Sequence, residues 1–147
     1  MRGPIVEFTP MDFPQGIKHN GAIAFLDRDG VLNLGKSTYV NSPEEVELLP
    51  GAPQAVGNLR RLGFRICIVT NQSPIMRGLW DESQLLIIHK KLRELFLEID
   101  KDAHFDMIIT CPHRNRDNCY CRKPNPGMLQ LGSDLLRKPP SLSLIHI

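Results

Sequence analysis

The segment Ala22-Ile23-Ala24-Phe25-Leu26-Asp27-Arg28-Asp29-Gly30 constrains this chain more than any other. An apolar run ends abruptly in two carboxylates separated by one residue, and a glycine follows. A short buried strand at 22–26 would deliver Asp27 and Asp29 to its own C-terminal end. Open α/β sheets bind their ligands at that end. Two carboxylates this close repel each other unless a cation or a shared proton lies between them. The segment therefore asks for a metal ion or for acid–base chemistry.

The rest of the pattern supplies a sheet for that strand. Residues 51–63 predict a helix, with Pro53 in its first turn, Ala55, Val56, Leu59 and Leu62 as an apolar stripe, and Gly63 as its stop. Phe64 to Val69 predicts a second strand that ends at Thr70 and Asn71. Asp81 to Ile99 predicts a long helix: Asp81 with Gln84 forms a capping pair, and Leu85, Ile88, Leu92, Leu95, Phe96 and Ile99 recur at helical spacing. Phe105 to Thr110 predicts a third strand, and a last helix runs from Pro126 towards Leu136. Strand and helix alternate, which predicts an α/β fold with a Rossmann-like, doubly wound parallel sheet in three α/β/α layers. Residues 1–20 carry Pro4, Pro10, Pro14 and Gly16 without a period, and predict an extended, loosely ordered N-terminal extension before a domain at 21–137.

Bulk properties narrow the partners. A net charge of +2, with dispersed basic residues and no aromatic stacking platform, gives no basis for nucleic-acid binding. No apolar run approaches the ~20 residues of a membrane helix, and the N-terminus lacks the apolar region of a secretory signal. The expectation is a cytoplasmic monomer acting on a small molecule, with neither nucleic acid nor a membrane as partner.

Three features could carry phosphate chemistry. An aspartate such as Asp27 can attack phosphorus, a carboxylate-held magnesium can neutralise the phosphate, and Asp29 can move the proton. Thr70-Asn71-Gln72-Ser73, at a strand end, offers a hydroxyl and free backbone N–H groups to a phosphate oxygen. Lys123, in Arg122-Lys123-Pro124, could stabilise the phosphoryl charge. Each alone reads equally well as a polar turn or a solvated lysine. In this order, each at a strand end or in the loop after one, they resemble the haloacid dehalogenase superfamily of phosphohydrolases over about residues 22–136. The resemblance implies that Asp27 is the nucleophile and Asp29 the general acid/base. It implies that Thr70 and Lys123 bind the phosphoryl group, and that Mg2+ sits on Asp27 and on the backbone carbonyl of Asp29.

Cys111, His113, Cys119 and Cys121 crowd into one short loop. Three thiolates and an imidazole form a closed tetrahedral set suited to a structural Zn2+, with no open position for catalysis. Zinc would staple a segment that has little core of its own. Cys-Pro-His, Cys-x-Cys and the adjoining Arg-Lys-Pro resemble the superfamily branch that contains the D-glycero-D-manno-heptose 1,7-bisphosphate 7-phosphatases and the histidinol-phosphate phosphatases. Tyr39-Val40, the loop Asn71-Gln72-Ser73-x-Ile75-x-Arg77-Gly78 and Pro126-Gly127-Met128-Leu129 favour the heptose enzymes. The short gap between His113 and Cys119 favours the histidinol-phosphate side. Pro74 replaces the usual glycine and removes an N–H donor from the loop. The resemblance implies substrate contacts from Asn71, Gln72, Ser73, Arg77 and Arg122, with the polar tip Lys36, Ser37, Thr38 and Tyr39 over a phosphorylated sugar. A zinc-binding interaction module without catalysis is the alternative from another class.

The superfamily's later acidic motif, Gly-Asp-x-x-x-Asp, has no counterpart. Gly132-Ser133-Asp134 falls inside the last predicted helix, so Asp134 is a helix-surface residue and not a metal ligand. Residues 138–147 fit no element of the fold, and the last of them look like translated adapter sequence. The expectation is a sheet incomplete at its C-terminal side, a non-native tail and weak or absent turnover by this exact chain.

Overall fold

A computed structural model describes residues 3–36, 39–114 and 119–136 of the 147. Ser37, Thr38 and the predicted tail at 138–147 lie outside the described residues. Among the described residues four strands, β1 (Ile5–Phe8), β2 (Ile23–Leu26), β3 (Arg65–Asn71) and β4 (Met107–Cys111), form one sheet in the order β1-β4-β3-β2. β2 pairs with β3, and β3 with β4, in parallel. Helices α1 (Ala52–Arg61) and α2 (Glu82–Ile99) fall where the apolar periodicity predicts them, and α3 (Gly127–Leu135) lies within the last predicted helix, from Pro126 towards Leu136. The Asp81 carboxylate caps α2 by accepting from the Gln84 N–H at 3.1 Å.

The strands read as continuous apolar runs because both sheet faces are covered. Ala24, Leu26, Ile66, Ile68 and Ile108 face one side and pack with Val56 of α1 and with Leu92 and Phe96 of α2. Ile23, Phe25, Cys67, Val69, Met107 and Ile109 face the other and pack with Met128 of α3 and the cysteines of the loop before it. This is the predicted three-layer arrangement. α3 sits close enough that a Cβ on Gly132 would lie 2.9 Å from Phe25 Cε1. No described helix is long and apolar enough to cross a membrane.

The N-terminal residues differ from expectation. Ile5–Phe8 is a strand, not coil, and it pairs antiparallel with β4, so the sheet is mixed rather than purely parallel. The segment is too short, and too heavily punctuated by proline, to show a period. Its order comes from tertiary partners. Asp106, fully buried just before β4, accepts from Arg65 at 3.1 Å, from Arg60 at 3.3 Å and from the Ile66 N–H at 2.8 Å. Arg60 also donates to the carbonyls of Met11 and Asp12, and both guanidinium groups lie 4.6 Å from the centre of the Phe13 ring. The N-terminal segment is therefore bound to the sheet by a buried ion cluster.

Removing one member of such a cluster leaves uncompensated charge inside. Asp106→Ala should cost about 3–5 kcal/mol, read as a lowered denaturant midpoint. A loss below about 1 kcal/mol would contradict this role.

Candidate active site

β2 ends at Leu26, and the chain turns at once through Asp27, Arg28, Asp29 and Gly30. Gly30 takes the turn with φ 85°, a left-handed conformation that side chains disfavour. The turn closes through Gly30 N to Asn33 O at 2.7 Å and Leu32 N to Arg28 O at 2.8 Å. Both carboxylates thus stand at the C-terminal rim of the sheet, as expected.

Their surroundings differ. The Asp27 side chain is 41% exposed, with Oδ1 accepting from the Arg28 N–H at 2.8 Å and Oδ2 2.9 Å from Lys123 Nζ. Asp29 is held on both oxygens. Oδ1 accepts from Arg28 Nε at 3.1 Å and Asn33 Nδ2 at 2.9 Å, and Oδ2 from Arg28 at 3.0 Å and Gln72 Nε2 at 2.7 Å. Burial works to raise the Asp29 carboxyl. The Arg28 charge and the bonds from Asn33, Gln72 and Arg28 outweigh it and hold Asp29 below the ordinary aspartate value. Asp29 is ionised at rest, whereas Asp27 keeps lone pairs available for a ligand.

The end of β3 supplies the next groups. Thr70 is buried, and its Oγ1 accepts from Gln72 Nε2 at 2.8 Å, which leaves the hydroxyl hydrogen available to donate. Asn71 clasps the Lys123 backbone, accepting from its N–H at 3.1 Å and donating to its carbonyl at 3.4 Å. Lys123 Nζ also donates to Val69 O at 3.1 Å, which aims it across the strand ends towards Asp27.

Other predicted residues are paired elsewhere. The Ser73 hydroxyl is 3.1 Å from Nε of the exposed Arg77. Lys36 Nζ is 3.7 Å from Glu47, and Tyr39 sits at φ 69° beside the buried Val40. Their segment borders the aspartates through Gly35, where a Cβ would lie 3.9 Å from Asp29 Cβ. Arg122 donates to His113 O at 2.8 Å. Asp134 is exposed on α3, the helix-surface position expected for it. Sequence reasoning passed over Arg28, which is 1% exposed, and Asn33, which is equally buried. The only sequence sign was Arg28's place between two acids.

Cys111, His113, Cys119 and Cys121 converge, all buried, with their ligand atoms within 4.8 Å of one another. Cys111 Sγ lies 3.4 Å from His113 Nδ1, 3.4 Å from Cys119 Sγ and 2.9 Å from Cys121 Sγ. Burial pushes the Cys111 and Cys121 thiols up. For Cys119 the bonds from Cys111, the Arg122 N–H and Cys121 outweigh burial and draw it down. Four soft or borderline donors around one point fit a zinc ion, whose charge would ionise the thiols outright. The Asp27 carboxylate fits magnesium in another way. Magnesium needs only one or two carboxylates and retains waters.

A profile described as polynucleotide kinase 3 phosphatase matches residues 22–142. The chain belongs to that family of haloacid-dehalogenase-like phosphatases. As a family member it is 39% identical over 109 residues to a D-glycero-β-D-manno-heptose-1,7-bisphosphate 7-phosphatase of Pseudomonas aeruginosa, covering 74% of this chain and 60% of the relative. It is 41% identical over 106 residues to the enzyme of that name from Bordetella bronchiseptica, covering 72% of this chain and 58% of the relative. The chain thus spans about three fifths of the curated relatives it matches. The crystal structure of the Bordetella bronchiseptica D,D-heptose 1,7-bisphosphate phosphatase with magnesium and phosphate superposes with a TM-score of 0.74. It shares 37% identity and covers 79% of this chain and 64% of that one.

The four-donor loop makes a direct prediction. Purified chain should carry about one zinc by elemental analysis, and Cys121→Ser should lose most of it together with thermal stability. Full stability with no bound zinc would contradict the assignment.

Proposed function

We propose that this chain is a magnesium-dependent phosphatase of a phosphorylated sugar, D-glycero-β-D-manno-heptose 1,7-bisphosphate, acting on the 7-phosphate. One observation carries the reading. An exposed carboxylate, Asp27, faces a lysine at 2.9 Å, while a second carboxylate two residues on is clamped by Arg28, Asn33 and Gln72. Such a pair suits nucleophilic attack beside a fixed proton carrier. The names of the relatives support the substrate.

An Asp27 oxygen would attack the phosphorus in line. The bond to the sugar oxygen breaks and an aspartyl-phosphate forms. Asp29, having taken a proton from solvent as the substrate binds, would give it to the leaving oxygen. A phosphate dianion beside it raises its proton affinity, which offsets the clamp that keeps it ionised at rest. Water then attacks the phosphorus, Asp29 takes the water's proton, and the bond to Asp27 breaks. Thr70 would donate its hydroxyl hydrogen to a phosphoryl oxygen, and Lys123 would balance the oxygens' charge. Magnesium bound at Asp27 and the Asp29 carbonyl would neutralise the incoming phosphate so that two anions can meet. Asn71 would hold Lys123 in place. Lys36, Tyr39, Ser73, Arg77 and Arg122 are the proposed contacts to the sugar side.

Phosphate release should be measured with magnesium on heptose 1,7-bisphosphate, histidinol phosphate and a 3′-phosphorylated oligonucleotide. The heptose should be preferred in kcat/KM by at least about tenfold. Asp27→Asn should lower release by more than about 100-fold without unfolding the chain. Preference for either other substrate, or release that survives Asp27→Asn, would contradict the proposal.

A further inference from the structure

Arg28 is the most enclosed charge at the site, and its guanidinium has a second partner. Nε and one terminal nitrogen fork the Asp29 carboxylate, while the other terminal nitrogen lies 3.2 Å from His89 Nε2. His89 is fully buried on α2, four residues after Leu85 and on the same apolar face. Its Nδ1 lies 2.5 Å from Glu7 Oε2, on β1. Glu7 in turn accepts from Arg93 at 3.1 Å, and Arg93 donates to Thr9 Oγ1 at 3.4 Å. Glu7 is paired in the sheet with Ile108, whose side chain lies on the face that α2 covers. A polar chain therefore crosses beneath α2 from one edge strand of the sheet to the turn after the other.

The donors and acceptors along it agree in only one sense. Arginine can only donate, so His89 Nε2 must accept and its proton must be on Nδ1. The Glu7 carboxylate accepts that proton's hydrogen bond. Without Glu7, the ring can place hydrogen on Nε2, opposing donor to donor at Arg28. Burial and the nearby Arg28 and Arg93 charges hold His89 below the ordinary imidazole value, despite the raising effect of Glu7, in keeping with a neutral ring. A planar fork imposes its orientation on the carboxylate it grips.

We infer that Glu7 and His89 are positioning residues for Asp29: they fix the Arg28 fork, and the fork fixes the rotation of the acid/base carboxylate. The inference rests on the proposed role of Asp29. It gives the N-terminal strand a part in the site that its distance in sequence conceals. Groups one step removed from a reacting or ligating side chain commonly change activity by 10–100-fold when removed.

The test uses the full chain and two readouts, magnesium-dependent phosphate release and hydrogen exchange at Arg28 Nε–H followed by NMR. Glu7→Ala and His89→Leu should each lower kcat about tenfold while KM stays within about twofold. The double variant should fall no further than His89→Leu alone. Exchange at Arg28 Nε–H should be slow in the parent and accelerate at least about tenfold in both single variants. Glu7→Gln, which still offers an acceptor, should recover most of both signals. Where Glu7→Ala does not fold, His89→Gln against His89→Leu decides, because only glutamine can accept from Arg28 and donate to Glu7. Losses that multiply in the double variant, unchanged Arg28 exchange, or identical behaviour of His89→Gln and His89→Leu would overturn the inference. If the parent itself releases too little phosphate to follow, Arg28 exchange alone decides whether Glu7 and His89 hold the fork.

Discussion

Two aspartates one residue apart repel each other, and the arrangement around them follows from how that repulsion is balanced. Each is given its own cation. Lys123 reaches Asp27 from a distant loop, and Arg28 grips Asp29 from the position between them. The two cations do different work. A lysine on a flexible stem leaves Asp27 half exposed and able to react, whereas a buried guanidinium fork, joined by Asn33 and Gln72, leaves Asp29 little freedom to rotate. One carboxylate is thus kept available and the other kept oriented, the division that a nucleophile and a proton carrier require.

The fold supplies these partners by ending three parallel strands at one rim. β2 gives the aspartates, β3 gives Thr70, Asn71 and Gln72, and β4 leads into the Cys/His loop. Gln72 N donates to Cys111 O at 2.7 Å, so the second group of site residues is tied to the first cysteine of the candidate metal cluster. The same loop carries Lys123. Its backbone is held by Asn71 on one side, while Arg122 N is 3.2 Å from Cys119 Sγ and Asn125 donates to Cys119 O at 2.9 Å. A loop with so few apolar residues has little of its own to fold around. Four side chains able to hold a metal would replace that missing core and bring the lysine to Asp27.

Much of this was legible in the sequence because it depends on local signals. An apolar run stopped by Asp-Arg-Asp-Gly, a second run stopped by Thr-Asn-Gln, and crowded cysteines each announce themselves within a few residues. The helix periods that mark 52–61 and 82–99 did the same, and Pro126 marked the start of the last helix at 127–135. What escaped depends on contacts distant in sequence. β1 has four residues and no period of its own, and its place is fixed by β4 and by Arg60 and Arg65 gathered around Asp106. Nothing near Asp106 in the chain marks it as a hub. His89 left one faint sign, an imidazole within the apolar face of a helix. Its partners Glu7 and Arg28 lie 82 and 61 residues away.

The central claim is that Asp27 forms the covalent bond to phosphorus. Borohydride reduction of the chain during turnover of the sugar bisphosphate, followed by peptide mass spectrometry, tests it directly, because a reduced aspartyl-phosphate becomes homoserine. The account predicts homoserine at position 27, dependent on both substrate and magnesium. Phosphate release accompanied by homoserine at position 29, or by none at all, would contradict it.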